Sequence, residues 1–118
     1  MTGGKAPRAA GDRFERVCVA QLRECGYLVI RSAGSLGPAD LVAMRGDGLP
    51  LLVSCKVTNA TTKRERALFQ TRAADAGCLA LIATKPSPGR ILWLRIGPEG
   101  VLSPYDIGEK TWPPTKPS

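Results

Sequence analysis

The chain has 118 residues, with 17 Lys and Arg against 10 Asp and Glu, so its formal net charge is +7, and it contains no histidine. The lack of histidine excludes nucleases and zinc sites built on histidine ligands, and hydrolases that use a serine and histidine pair. The positive charge favours a polyanionic partner, and an aromatic content of 5% argues against a single-strand binder that stacks bases on aromatic side chains.

The length suits one domain with a single core. We expect a flexible basic arm at residues 1–11, a folded domain at residues 12–103 and a proline-rich, extended tail at residues 104–118. No apolar run suits a transmembrane helix or a signal peptide, so we expect a cytoplasmic protein, in the host cytoplasm if a phage encodes it. The four cysteines lack C-x-x-C spacing, which indicates reduced core residues.

The first predicted element is a short amphipathic helix that begins after Asp12, the expected N-cap, and ends before Gly26. Its apolar residues recur at helical spacing: Phe14, Val17, Cys18, Leu22 and Cys25. Successive residues are about 100° apart, so Glu15 falls among these apolar residues. A glutamate at the margin of such a stripe is most often solvated. A carboxylate on the apolar side is also out of place, which makes Glu15 a candidate functional residue.

Two consecutive strands are predicted to bring an aspartate and a lysine together. Asp40 lies in the segment PADLVAM, where its charge is costly unless a cation or metal lies beside it. Residues 51–57 alternate so that Ser54 and Lys56 share one face, and the GDG turn at residues 46–48 favours an antiparallel hairpin. Taken singly, Asp40 could be a turn residue and Lys56 an edge-strand residue. Together they predict a meeting across the strand pair.

The remaining elements are a strand at residues 27–31, a helix at about residues 62–76, and two strands at residues 78–84 and 91–96. A serine-containing loop follows the first strand, and the turn KPSPGR separates the last two strands. The predicted order is therefore one helix, three strands, a second helix and two strands.

The order Glu, then Pro-x-Asp, then x-x-Lys after a hairpin resembles the archaeal-type Holliday junction resolvases of the PD-(D/E)XK nuclease superfamily. The resemblance runs from GDRFERVCVAQLRECGYLVIRSAGS through GPADLVA and LLVSCKV to KRERALFQTRAADAG and CLALIAT. It implies an α/β fold with a restriction-endonuclease-like core, a mixed five-stranded sheet flanked by helices. It also implies paired cuts in four-way DNA junctions, in DNA recombination and repair, by metal-dependent phosphodiester hydrolysis.

The resemblance assigns site residues by position. Glu15, Asp40 and residue 54 would hold Mg²⁺, with Mn²⁺ as a substitute, and Lys56 would stabilise charge or orient the attacking water. A loop serine important for cleavage would be Ser35 or, second, Ser32. No small-molecule cofactor is implied.

The chain departs from the family pattern at Ser54, where an acid is expected. A hydroxyl is a neutral ligand and lacks the negative charge that holds a hard cation, so this form is expected to be inactive or weakened. Two explanations compete: a natural sequence that has lost or relocated the acid, or a deliberately inactivated enzyme. We therefore expect Ser54→Glu to give magnesium-dependent cutting of junctions.

Basic residues cluster near the proposed site and suggest recognition of the DNA backbone and shape. The alternative for any one cluster is an ordinary solvated surface, and for Gln70 an exposed helix residue. The predicted DNA-binding residues are Arg13, Arg31, Ser32, Ser35, Lys63, Arg64, Arg66 and Gln70.

Two symmetric cuts require two active sites at a fixed spacing, which a two-fold homodimer supplies. Two other functions remain open from the residues alone. One is a repair or restriction-like nuclease that acts on other DNA, and the other is a catalytically dead protein that binds branched DNA. A basic ribosome-associated protein is more remote, because it leaves the arrangement of Glu15, Asp40 and Lys56 unexplained.

Overall fold

The structure is a computed structural model that describes residues 5–32, 38–58 and 60–108, with only the backbone of residues 5–10. Two helices and six strands make up the fold: α1 (Lys5–Glu24), β1 (Leu28–Arg31), β2 (Leu41–Met44), β3 (Leu51–Lys56), α2 (Lys63–Asp75), β4 (Leu79–Ser87), β5 (Arg90–Ile96) and β6 (Leu102–Pro104). A 3-10 turn, Pro98–Gly100, lies between β5 and β6. Ser35 lies outside the described residues.

The strands form one mixed sheet in the order β1-β2-β3-β4-β5-β6. The β3–β4 pair is parallel and the other neighbours are antiparallel. The α/β fold with a mixed sheet is thus confirmed, but the expected count of five strands is wrong because β6 adds a sixth. This strand has three residues and ends in a proline, which an edge strand tolerates, so it carries little sequence signal.

The two helices cover opposite faces of the sheet. Phe14, Cys18 and Leu22 of α1 pack in one buried cluster with Leu81 of β4. Phe69 and Ala73 of α2 pack in a second cluster with Ile82, the next residue of the same strand. Because successive strand residues point to opposite faces, the two clusters lie on opposite sides of the sheet. The four cysteines are reduced thiols, and Cys18 and Cys25 are buried.

Helix α1 begins earlier than expected. It starts at Lys5, so the prediction that Asp12 is the N-cap is wrong, and residues 5–11 of the expected arm are helical backbone. The segment KAPRAA contains lysine, arginine and three alanines, which are good helix formers, and Pro7 falls in the first turn, where proline is tolerated. Neither the net basic charge of the arm nor the glycine at position 11 prevents a helix that continues into a packed segment.

The chain after β6 returns to the core, so the domain boundary expected after Ser103 is wrong for residues 104–108. The Tyr27 hydroxyl donates a hydrogen bond to the Ile107 carbonyl oxygen at 2.7 Å, and Ile107 is buried. The Arg45 guanidinium lies over the Tyr27 ring, 4.5 Å from its centroid, and donates to the Cys25 carbonyl oxygen. Apolar side chains within a proline-rich stretch explain the docking. Residues 109–118 of the expected tail lie outside the described residues.

No helix in the described part of the chain has the length and apolar character needed to cross a membrane.

The Tyr27 contact predicts an alkaline loss of stability. Burial raises the pKa of Tyr27 to about 12, above its ordinary value of 10.0, because the ionised phenolate is poorly solvated. A raised folded-state pKa contributes stability below pH 10 that is lost as the pH rises through about 12. At pH 8 we expect the free energy of unfolding of Tyr27→Phe to be lower than that of wild type by about 1 kcal/mol, because the hydrogen bond is lost. This difference should be smaller at about pH 11.5, where the wild-type phenol begins to ionise. Urea unfolding at both pH values measures the free energy of unfolding, and Tyr105→Phe is the control. A difference between wild type and Tyr27→Phe that does not change with pH would contradict the prediction.

Candidate active site

Asp40 lies where strands β2 and β3 meet. Leu41 of β2 pairs with Val53 of β3, which confirms the predicted antiparallel hairpin. The Asp40 N–H donates to the Val53 carbonyl oxygen at 2.8 Å, and its carboxylate accepts a hydrogen bond from the Cys55 N–H at 2.7 Å. The backbone of β3 therefore fixes both the main chain and the carboxylate of Asp40.

Glu15 and Lys56 both act electrostatically on Asp40. Burial of the carboxylate raises the pKa of Asp40, the Cys55 N–H lowers it, the negative charge of Glu15 raises it and the positive charge of Lys56 lowers it. These charges come from α1 and β3, so residues of both elements influence the Asp40 carboxylate. That Asp40 and Lys56 belong to one active site stays a prediction.

Glu15 is held beside the sheet by an ion pair with Arg31. Its Oε1 atom lies 2.5 Å from Nη2 of Arg31, on β1, and its side chain is 14% exposed against 43% for Arg31. The neighbouring α1 residues Phe14 and Cys18 are buried in the core, which holds this turn of the helix against the sheet. Glu15 therefore does not point into bulk water.

Ser54 lies on the α2 side of the sheet. It is 2% exposed, and its Oγ atom is buried without a hydrogen-bond partner among the described residues. Ser54 and Lys56 line the same cavity of about 380 Å³, which confirms that they share a face. A buried hydroxyl without a partner costs about 1–3 kcal/mol. It marks a position that a further polar group could fill.

Glu65 lines the same cavity, on the first turn of α2. Its Oε1 accepts from the Thr62 N–H, while the Thr62 hydroxyl accepts from the Glu65 N–H at 3.1 Å, forming a capping box. The cap therefore uses this carboxylate. The sequence showed the T-x-x-E spacing, but nothing in it located Glu65 near Ser54.

The oxygen atoms present fit a hard divalent cation only in part. Mg²⁺ is usually bound by one or two carboxylates together with substrate oxygens, and Glu15 and Asp40 supply two carboxylates. The unpartnered Ser54 hydroxyl is a neutral oxygen near Lys56. Among the residues that the structure describes, no three His, Cys, Asp or Glu side chains are grouped for a metal. The donors thus suit Mg²⁺ bound with substrate better than a metal held by protein alone.

The predicted DNA-binding residues are divided among several places. The Arg66 guanidinium has a structural role, because it donates hydrogen bonds to the Gly100 and Thr61 carbonyl oxygens at 2.9 Å each. Gln70 lines a different depression from the one that contains Ser54, together with Ala74 and Gly77. Lys63 and Arg64 are exposed at the start of α2.

Two further predicted DNA-binding residues lie on the α1 and β1 side. Arg13 is exposed on α1, two residues before Glu15. Ser32 follows β1, and its N–H donates to the Asp40 carbonyl oxygen at 2.8 Å, which places it beside the site. Arg31 forms an ion pair with Glu15. Contacts of Arg13, Arg31 and Ser32 with DNA remain predictions.

Comparison with known proteins gives the family. The sequence matches a family model described as archaeal Holliday junction resolvase (Hjc) over residues 6–89. The fold is similar to the 1.6 Å resolution structure of Archaeoglobus fulgidus Hjc, a Holliday junction resolvase from an archaeal hyperthermophile, with a TM-score of 0.61 and 28% identity. The match covers 72% of this chain and 76% of that one. No curated protein sequence matches the chain.

The mixed sheet and the family match are consistent with the PD-(D/E)XK nuclease superfamily. Within it, the chain belongs to the archaeal Holliday junction resolvase family.

The raised pKa of Asp40 predicts that the protein becomes more stable when the negative charge of Asp40 is removed. Its raised pKa means that Asp40 favours the folded state when protonated, and this contribution is lost as the pH rises through the folded pKa. Asp40→Asn keeps an acceptor for the Cys55 N–H and should raise the Tm at pH 7 in EDTA, with the difference closing at acidic pH. A thermal unfolding series from pH 3 to pH 8 measures this.

Asp47→Asn is the matched control. The Arg45 hydrogen bond lowers the pKa of Asp47, so that carboxylate stabilises the fold above its ordinary pKa, and the contribution is lost as the pH falls. The two variants should therefore shift the Tm in opposite directions at pH 7. A lower Tm for Asp40→Asn would contradict the balance described.

Proposed function

We propose that the protein is a structure-specific endonuclease that binds four-way DNA junctions and hydrolyses their phosphodiesters with Mg²⁺. One observation carries this proposal: the Asp40 carboxylate is fixed at the β2–β3 junction within electrostatic reach of Glu15 and Lys56. Family membership supports the junction as substrate.

Glu15 and Asp40 are the anions that would hold Mg²⁺, and Ser54 offers a neutral oxygen. When bound, Mg²⁺ supplies Lewis-acid activation of the phosphodiester and of water. Lys56, which is exposed at the end of β3, stabilises negative charge that develops on the phosphate. Mn²⁺ would substitute, because it also accepts oxygen ligands.

Arg31 has two roles in this proposal. In the absence of metal it balances Glu15, whose charge would otherwise repel Asp40. With Mg²⁺ bound, the metal would supply positive charge at Glu15, and the half-exposed Arg31 guanidinium would then be available to contact a DNA phosphate. The same side chain thus serves the site before and after metal binding.

Ser54 weakens this site, because it lacks the charge that the family pattern places there. The cavity beside Ser54 has room for a longer side chain. We expect Ser54→Glu to raise magnesium-dependent junction cutting at least about hundredfold, the effect of several kcal/mol of charge stabilisation.

Ser54→Gln is the matched control, because it adds the same bulk without the charge and should not raise the rate. Cleavage of a labelled four-way junction with Mg²⁺ and with Mn²⁺ provides the measurement. If the Glu variant binds junctions and cuts with neither metal, the metal-site assignment is wrong.

A homodimer is part of the proposal, because paired cuts need two sites. Supporting it, the edge strand β1 exposes Leu28 by 63% and Ile30 by 51%, next to Arg31. A resolvase dimer should produce nicks symmetric about the branch point and leave linear duplex uncut. Nick mapping on junctions, flaps and linear duplex, with Ser54→Glu protein, tests this, and equal cutting of all three would favour a repair-type nuclease.

A second candidate is a catalytically inert protein that binds branched DNA. The neutral Ser54 favours it directly. Under this alternative, junction binding is tight, and neither metal nor the restored acid produces cutting.

A further inference from the structure

A basic depression lies beside α1 and includes no residue of β1, the strand that carries Arg31. It is a groove of about 350 Å³ between α1, the end of β3 and the β4–β5 hairpin. Its cations are Arg13, Lys85 and Arg90, and its apolar side chains include Phe14, Val57 and Ile91. We call this region the basic groove.

The cations of the basic groove are not neutralised by the fold. Arg13, Lys85 and Arg90 are all exposed, and they form no salt bridge with the side chains that the structure describes. No lining residue is a carboxylate. Three uncompensated positive charges around one depression create a site for a polyanion.

The fold holds these charges on ordered elements. Lys85 and Arg90 flank the tip of the β4–β5 hairpin, where Gly89 has a φ of +77° after Pro88, the combination typical of a type II turn. The base of the hairpin is tied to β3, because the Lys85 N–H and the Thr84 hydroxyl both donate to the Val57 carbonyl oxygen at 3.1 Å. The spacing of the charges is therefore set by the backbone.

The basic groove adjoins the active site along two elements. Arg13 precedes Glu15 by two residues on α1, and Val57 directly follows Lys56 after β3. The groove and the active site are therefore built on the same two elements, α1 and the end of β3.

We propose that the basic groove binds the sugar-phosphate backbone of one duplex arm of the substrate, with Arg13, Lys85 and Arg90 contacting phosphates. This inference rests on the proposed function, which it extends by a second DNA contact beside the cleavage site. The apolar lining suits deoxyribose, and its aromatic residue Phe14 is 5% exposed, so base stacking is excluded there.

The test compares two variants that each lose two positive charges. Lys85→Gln/Arg90→Gln neutralises the hairpin side of the groove, and Arg23→Gln/Arg95→Gln neutralises two exposed arginines outside it. Fluorescence anisotropy in EDTA gives the Kd of the full chain for a labelled four-way junction at several salt concentrations. Circular dichroism and the Tm confirm that both variants are folded.

We expect the groove variant to bind at least about tenfold more weakly than the control variant near 100 mM salt. The slope of log K against log salt should be smaller by about 1 to 2, since each duplex phosphate contact contributes about 0.9. Lys85→Arg/Arg90→Lys should retain binding because it preserves the charges.

The outcomes separate the two proposals. Equal affinities and slopes for the groove and control variants, with wild type binding junctions, overturn the groove assignment alone. A wild type that binds no junction overturns the proposed function and the groove with it. Preferential loss of binding to RNA duplex, measured in parallel, would overturn the DNA assignment and identify RNA as the partner.

Discussion

The site depends on one hydrogen bond between a side chain and a strand backbone. The Cys55 N–H donates to the Asp40 carboxylate at 2.7 Å, at the position where the pairing of β2 with β3 ends. A half-buried carboxylate near a second carboxylate is unfavourable unless donors or cations compensate it. The peptide N–H is a fixed donor that needs no side chain, so β3 aligns Asp40 simply by forming the sheet. Lys56, one residue further along β3, then lies on the same short stretch of backbone.

The position of the site at the end of the sheet explains how both helical layers contribute. Glu15 comes from α1 on one side, and the cavity with Ser54 and Glu65 opens toward α2 on the other. The core clusters under each helix hold α1 and α2 against the sheet. The ion pair with Arg31 also helps, because the guanidinium offsets the negative charge of Glu15 that would otherwise repel Asp40.

The sequence predicts those elements of the fold that have a regular local pattern of apolar residues or a turn motif. The alternation at residues 51–57 and the GDG turn predicted the β2–β3 hairpin, and helical spacing placed Glu15 on the packed side of α1. Asp40 was identifiable because it is a charged residue in an apolar segment.

What the sequence missed depends on tertiary contacts. Arg66 looked like a DNA contact, but its guanidinium is bound to Gly100, 34 residues away. Strand β6 is too short to carry a pattern, and residues 104–108 dock through Tyr27, which composition cannot indicate. The early start of α1 carries a weak sequence signal, because a proline, a glycine and basic residues lie among the helix-forming residues of this segment.

The most direct measurement of the central claim is paramagnetic broadening by Mn²⁺ in backbone amide NMR spectra of the wild-type chain. If Glu15 and Asp40 form one cation site, substoichiometric Mn²⁺ should first broaden the amides of Glu15, Asp40, Cys55 and Lys56, and added Mg²⁺ should restore them. Broadening centred on Asp47 or Glu65, with the Asp40 and Cys55 amides unaffected, would contradict the account.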